Sequence, residues 1–209
     1  MAVTPKPVRK LAARWSRDLT KMWGLENTHP IPTNSRKRVE ATLTPDELRA
    51  FRGCDPLGMA SKERRVPLTW VNPGVKYFPE APLDHPNTIM AHEVGHALHL
   101  YQPGIHGLDR PVEKKVHEFV ATMSALEYLK RHRPQDFKSF MSRTPTSFEH
   151  RMAKKVMAAL PRAEARNKFM RAFFKDGVFT EARLTGWLIQ HKVNPYEFDP
   201  SKYREPDYF

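Results

Sequence analysis

The chain has 209 residues, of which 40% are hydrophobic and 28% are charged, as in an ordinary soluble globular protein. No stretch approaches the roughly 20 apolar residues that a membrane-spanning helix needs. The charged N-terminus lacks the apolar segment of a secretory signal, so we expect a cytoplasmic protein, with export by an unconventional route left open. Because Cys54 is the single cysteine, an intrachain disulfide and a thiolate metal cluster are excluded.

The net charge of +12 is compatible with a nucleic acid or another acidic partner. The basic residues are scattered in short runs, however, without an arginine–glycine–aromatic repeat and without a zinc-finger spacing. A solvated, highly soluble surface explains the same distribution. We therefore treat nucleic-acid binding as an alternative to the chemistry that the motifs below indicate.

The N-terminal segment predicts a basic amphipathic helix over residues 8–23, because apolar side chains recur there at three- and four-residue steps. Tryptophan and leucine at this spacing are more typical of a docking face than of a membrane anchor. We divide the chain accordingly into an N-terminal helical unit, 1–25, and a single domain, 26–209.

The rest of the chain alternates proline-rich loops with regular elements. Thr44, followed by a proline and two acids, is typical of a helix start. Residues 66–71 predict a strand, with 75–78 as a second strand across a turn. Later helices are predicted at about 87–101, 111–132, 135–142, 146–160, 162–175 and 179–191. The expected fold class is α+β and mostly helical, with a small N-terminal sheet and a helical C-terminal half.

The motif His-Glu-Val-Gly-His occupies residues 92–96. Two histidines four residues apart lie on one helix face, one turn apart, so both imidazoles can bind one metal ion. Glu93 lies about 100° from His92 on the helical wheel and can reach a water molecule on that ion. An unpaired glutamate would be costly in an ordinary core helix, which argues against a chance occurrence. Gly95 lowers helix propensity, so we expect a close neighbour at that turn.

A catalytic zinc site takes three protein ligands and leaves one position open, so a third ligand is required. The zincins with a third histidine six residues after the motif are excluded, because that position is Gln102. The next predicted helix offers Glu113, Glu118 and Glu127. Glu127 lies too far along the helix, and the helix dipole alone explains an acid at Glu113. We prefer Glu118, because small neighbouring residues would let the two helices approach closely, and we keep Glu113 as the alternative.

The motif and a following helical glutamate resemble the gluzincin branch of the zincin metallopeptidases over about residues 85–130. The run that starts at Glu118 (Glu-Phe-Val-Ala-Thr) is similar to a helix of the anthrax lethal factor and Pro-Pro endopeptidase group. A rival alignment that starts at Glu113 resembles the repressor-cleaving ImmA/IrrE proteases and would make Glu113 the ligand. The resemblance implies a zincin-like metalloprotease fold and one Zn²⁺ per chain, with His92, His96 and Glu118 as ligands.

The same resemblance implies hydrolysis of a polypeptide substrate. Glu93 would be the general base that takes a proton from water and passes it to the leaving amine. Gluzincins usually add a Tyr or His that hydrogen-bonds the oxyanion, and His106 is the candidate here, with an ordinary loop histidine as the alternative. His117 or Thr122 stands where many gluzincins carry an Asp or Asn behind the histidines. The strand at 66–71 is expected to be the edge along which substrate lies.

Two other functions compete with a general peptidase. The first is a basic nucleic-acid-associated or structural protein whose metal site is not catalytic. The second is a regulatory protease that cleaves a DNA-bound repressor, for which the basic surface would aid encounter. Salt-dependent binding to DNA would distinguish the second function from a generic peptidase.

Overall fold

The computed structural model describes residues 6–25, 31–33, 35–53, 57–63, 66–72, 82–100, 113–145, 147–178 and 180–195. Within these ranges the helices are α1 (Lys6–Trp23), α2 (Arg36–Glu40), α3 (Pro45–Gly53), α4 (Pro86–Leu100), α5 (Lys114–His132), α6 (Pro134–Ser142), α7 (Phe148–Ala159), α8 (Ala163–Lys175) and α9 (Glu181–Gln190). The strands are β1 (Ile31–Thr33), β2 (Gly58–Glu63) and β3 (Val66–Val71). The expected class, α+β and mostly helical with a small N-terminal sheet, is confirmed. None of the described helices is long and apolar enough to cross a membrane.

The predicted helices after residue 87 are all present and begin and end within three residues of their expected bounds. The helix expected after Thr44 is α3, and the carbonyl of Thr44 accepts a hydrogen bond from the backbone N–H of Leu48 at 2.8 Å. The short helix α2 and the strand β2 were not predicted. The second strand expected at 75–78 lies outside the described residues.

The sheet has the order β1-β3-β2. β3 pairs in parallel with β1 and antiparallel with β2, so it is the central strand. The expectation that residues 66–71 form the edge is therefore wrong. Among the described strands β1 and β2 each pair on one side only, and of these two edges it is β2 that begins against the motif helix α4. Its sequence, GMASKE, lacks the alternation of branched apolar residues that marks a strand, and pairing with β3 determines its conformation.

One cluster of buried apolar side chains joins α1, α4, α5 and the C-terminal helices. The docking face predicted for 8–23 belongs to it, because Ala12, Trp15 and Leu19 are completely buried. The unit 1–25 thus contributes to the same core as the rest of the chain. A smaller cluster of Val39, Phe51 and Trp70 holds α2 and α3 against the sheet.

α4 and α5 pack closely at Gly95. A Cβ atom there would lie 2.7 Å from Cβ of Ser124 and 2.8 Å from Cα of Ala121, a backbone atom that cannot move aside. The close neighbour expected at this glycine is therefore confirmed. The Ser124 hydroxyl donates to the carbonyl of Ala91 at 2.5 Å and accepts from the indole N–H of Trp15 at 3.0 Å. These contacts fix three helices around the turn of α4 that carries the motif.

Candidate metal centre

Three side chains converge between α4 and α5. Oε2 of Glu118 lies 3.2 Å from Nε2 of His92 and 3.4 Å from Nε2 of His96. One ligand atom from each residue can be chosen so that all lie within 4.8 Å of one another. The one-turn spacing places both imidazoles on one face of α4, and the small residues at the crossing bring Glu118 to them. The group could hold a metal ion.

The exposure and charge of the group suit a metal site that solvent can reach. The side chains of His92, His96 and Glu118 are 24%, 15% and 29% exposed, so each is mostly buried but still reached by solvent. Burial opposes ionisation of Glu118, but the two imidazoles outweigh it and hold the pKa of its carboxyl well below the ordinary value. In the part of the chain that the structure describes, no other such group of His, Cys, Asp or Glu occurs.

Glu93 lies on α4 beside the metal group and is almost completely buried, with 6% of its surface exposed. Burial raises the pKa of its carboxyl to about 7, an effect that the charge of Glu118 increases and His96 opposes. Gly58, at the start of β2, lies directly against the Glu93 side chain. A Cβ at Gly58 would lie 2.7 Å from Oε1 of Glu93 and 2.6 Å from Cγ2 of Ile89, so only glycine lets the strand pass this close.

Two further imidazoles extend the histidine cluster behind His96. The His117 ring lies edge-to-face on the His96 ring, with the centroids 5.0 Å apart, and its Nδ1 lies 2.9 Å from Nδ1 of His99. Burial, and next the positive charge of His96, lowers the pKa of His117 to about 3. Burial likewise lowers the pKa of His99. Of the two residues expected behind the histidines, His117 therefore contacts a ligand, whereas the buried Thr122 hydroxyl has no hydrogen-bond partner among the described residues.

The other candidates from the sequence have different surroundings. Glu113 is exposed at the N-cap of α5, and its Oε2 accepts a hydrogen bond at 2.6 Å from the backbone N–H of Glu181 at the start of α9. Glu127 is buried and paired with Arg166. His106, expected near the oxyanion, lies outside the described residues. Of the three glutamates weighed as third ligand, the structure brings Glu118 to the histidines.

A cleft of about 280 Å³ opens onto His92 and Glu93. Its other polar side chains are Asp84 and His150, and its apolar walls are Leu57, Leu83, Ile89 and Ala125. Burial lowers the pKa of His150, and this ring interacts electrostatically with both His92 and Glu118. Gly58 and His150 were not predicted from the sequence as parts of the site. Gly58 lies in a segment that was not predicted as a strand, and His150 lies in the first turn of a helix far along the chain. Nothing in the sequence next to either residue indicates that it lies near the motif.

Comparison with known proteins adds no assignment to this site. No protein family, curated protein or solved structure matches the chain. The function is therefore inferred from the chemistry of the side chains around the cleft and from the resemblance of the motif.

Proposed function

We propose that this protein is a zinc-dependent endopeptidase with a zincin-like fold, whose metal is held by His92, His96 and Glu118. The observation that carries the proposal is the convergence of two imidazole nitrogens and one carboxylate oxygen beside a cleft, with the carboxyl of Glu93 buried next to them. A structural zinc site is usually closed by four protein ligands, whereas three protein ligands with one open position are typical of a catalytic site. Of the three side chains here, His92 lines the cleft.

The donor set favours zinc among the common metal ions. Imidazole nitrogens suit zinc and other transition metals, whereas calcium and magnesium prefer sites built from oxygen ligands alone. When bound, zinc would supply a Lewis acid that polarises a carbonyl group and lowers the pKa of a water molecule. The hydrogen-bonded His99 and His117 behind His96 would restrict the orientation of that ligand ring.

Glu93 is suited to moving the proton. A carboxyl with a pKa of about 7 is present in both protonation states near neutral pH, so it can accept a proton and later donate it. Glu93 would take the proton of the attacking water and deliver it to the amine that leaves. His150 opens onto the same cleft and joins His106 as a candidate for the hydrogen bond to the oxyanion.

The strand β2, one of the two edge strands of the sheet, offers a place for an extended substrate. β2 begins at Gly58, against Glu93, and its outer edge carries no partner among the described strands. A polypeptide that added to this edge by backbone hydrogen bonds would run past the cleft with its peptide bonds near Glu93. This role was expected for residues 66–71 and is now proposed for β2.

The first test is zinc content by elemental analysis of the wild type and of the Glu118→Ala and Glu113→Ala variants. We expect about one zinc per chain in the wild type, loss of zinc in Glu118→Ala because a ligand is removed, and retention in Glu113→Ala. Loss in Glu113→Ala alone would favour the rival alignment. A wild-type protein that binds no zinc at neutral pH, even when zinc is supplied, would contradict the proposal.

The second test is hydrolysis of a mixed peptide library, with Glu93→Gln as the matched blank. Gln has the size of Glu but cannot accept the proton, so this variant should keep its zinc and lose roughly 100-fold or more in rate. Equal rates for the wild type and Glu93→Gln would mean that the hydrolysis comes from a contaminant or from another site.

Nucleic-acid binding through the basic surface stays a prediction. A Lys- and Arg-mediated complex with DNA would weaken steeply as salt rises. Titration of duplex DNA at two salt concentrations would test the repressor-cleaving alternative independently of the zinc measurements.

A further inference from the structure

A second cavity, of about 190 Å³, adjoins the cleft of the metal centre. The two cavities share Leu83, Asp84 and His150 as lining residues. His150 interacts electrostatically with His92 and Glu118 on one side and with Lys154 on the other. A substrate that occupies the cleft can therefore place a neighbouring group in the second cavity without leaving the protein surface.

The second cavity is positively charged. Arg143 and Lys154 line it, and Asp84 is the single acid among its described lining residues. The guanidinium of Arg143 forms no hydrogen bond or ion pair with any described residue. Lys154 is 2% exposed, and its ammonium group donates to the carbonyl of Arg143 and lies 4.7 Å from the centre of the Phe140 ring.

Lys154 and Arg143 both carry a positive charge at neutral pH. Burial, and next the neighbouring Arg143, lowers the pKa of Lys154 to about 8, so its ammonium form predominates at pH 7. Arginine stays charged throughout this range. Burial raises the pKa of the Asp84 carboxyl, the one acid among the described lining residues of this cavity.

We propose that the second cavity binds a carboxylate of the polypeptide substrate close to the scissile bond, with Arg143 and Lys154 as its recognition residues. The inference rests on the proposed peptidase function and adds a substrate class to it. The carboxylate belongs either to the C-terminus of a peptide or to an Asp or Glu side chain, because both present the same two oxygens. A planar guanidinium can hold such a group by two parallel hydrogen bonds.

The apolar walls strengthen the selection for charge. Pro82, Leu83 and Phe140 line the cavity beside the two cations, and they exclude water and so reduce the screening of an ion pair. A basic substrate side chain would be repelled in the same place. A neutral side chain would not form the paired, charge-assisted hydrogen bonds that a carboxylate forms with the Arg143 guanidinium, so it would gain less from binding.

The test uses three short, randomised, fluorescence-quenched peptide pools with the zinc-loaded full-length protein. The first pool is amidated and contains Asp and Glu, the second has a free C-terminus and no acidic residue, and the third is amidated without acidic residues. We expect kcat/KM for one of the first two pools to exceed that for the third about tenfold, as a charge-assisted hydrogen bond predicts. The preferred pool identifies the source of the carboxylate.

Substitutions of Arg143 and Lys154 test whether the second cavity causes the preference for carboxylate-containing peptides. Arg143→Gln and Lys154→Met should each reduce the ratio of carboxylate to neutral cleavage about tenfold, and Arg143→Glu should shift the preference towards peptides with Lys or Arg. Arg49→Gln, which removes an exposed cation on α3, is the matched control and should leave the ratio unchanged. Thermal melting would show whether Lys154→Met stays folded, and Arg143→Gln carries the test if it does not.

The outcomes separate the two proposals. Equal cleavage of the three pools by the wild type would overturn the carboxylate site and leave the peptidase function standing. A preference that survives both Arg143→Gln and Lys154→Met would also overturn it. If the zinc-loaded protein cleaves none of the pools, the peptidase function is contradicted and the substrate class falls with it.

Discussion

Two glutamates on the same helix have opposite surroundings. Glu127, in the C-terminal half of α5, is 1% exposed, and its two oxygens both contact Arg166, with Nη2 at 3.2 Å from Oε2. The same guanidinium donates to the carbonyls of Leu160 at 2.8 Å and Pro161 at 2.7 Å. Glu118, in the N-terminal half, has a side chain that is 29% exposed, and among the described residues its carboxylate lies against the imidazoles of His92 and His96.

The comparison distinguishes a structural charge from a ligand. Glu127 has a permanent counter-ion, and four of the five N–H donors of that guanidinium form hydrogen bonds within the described residues, so the pair is a structural one. Glu118 has partners that carry full charge only when protonated, and all three groups face a site from which solvent is not excluded. A carboxylate in this position gains most from a cation, so we propose a metal site at the N-terminal end of α5 and a packing role for the charge at the other end.

The largest expected effect comes from breaking the pair at the structural end. Glu127→Ala leaves the Arg166 guanidinium buried without a counter-ion and should lower the free energy of unfolding by about 3–5 kcal/mol. Urea denaturation would measure the loss. The double variant Glu127→Met/Arg166→Met removes both charges and should recover most of the stability. If Glu127→Ala instead abolished zinc binding in a protein of normal stability, the assignment of the two ends would be reversed.

Protonation of the buried imidazoles of His99 and His117 should lower the stability of the protein at acidic pH. Burial lowers the pKa of His117 to about 3 and also lowers that of His99, whereas in the unfolded chain both take up protons near pH 6.5. Because the unfolded state then binds more protons, stability is complete above pH 6.5 and falls as the pH decreases towards 3. The slope would reach up to about 2.7 kcal/mol per pH unit for two histidines.

Urea unfolding of the metal-free protein over this pH range, with a chelator present, would measure that slope. The double variant His99→Leu/His117→Leu removes both groups, so its stability should depend less on pH. An equally steep decline in the double variant would assign the acid sensitivity to other residues.

The smallest expected effect comes from a substitution at Gly95, where α4 and α5 approach each other closely. Gly95→Ala gains up to about 1 kcal/mol of helix propensity but places a methyl group against the backbone of α5. Overpacking of this kind costs about 1–3 kcal/mol, so we expect a net loss of stability together with weaker zinc binding. Thermal melting and zinc titration would measure the two effects.

Gly186→Ala in α9 is the matched control. A Cβ at Gly186 meets nothing within 4 Å, so the same substitution should stabilise the protein by about 0.5–1 kcal/mol. A stabilised Gly95→Ala with normal zinc affinity would mean that the two helices can separate at little cost.

The spacing of residues along the sequence predicted most of the helices and the histidine pair of the candidate metal site. The later helices were recognised because apolar side chains repeat with the period of a helix, and that period depends only on neighbours along the chain. The pairing of His92 with His96 was predicted for the same reason, and the close neighbour at Gly95 was predicted from the low helix propensity of glycine. β2 was missed because its residues have no strand preference of their own and become a strand only by pairing with β3.

Only the tertiary structure decided which distant groups meet. Glu113 and Glu118 are both glutamates of one helix, and their spacing alone could not show that one caps α9 while the other faces the histidines. Gly58 beside Glu93, and His150 between two cavities, are likewise contacts across long stretches of chain. The sequence by itself determined the candidate ligand pair, because His92 and His96 lie one turn apart on a single helix. The candidate third ligand, the strand against Glu93 and the basic cavity depend on how elements pack, which no local period encodes.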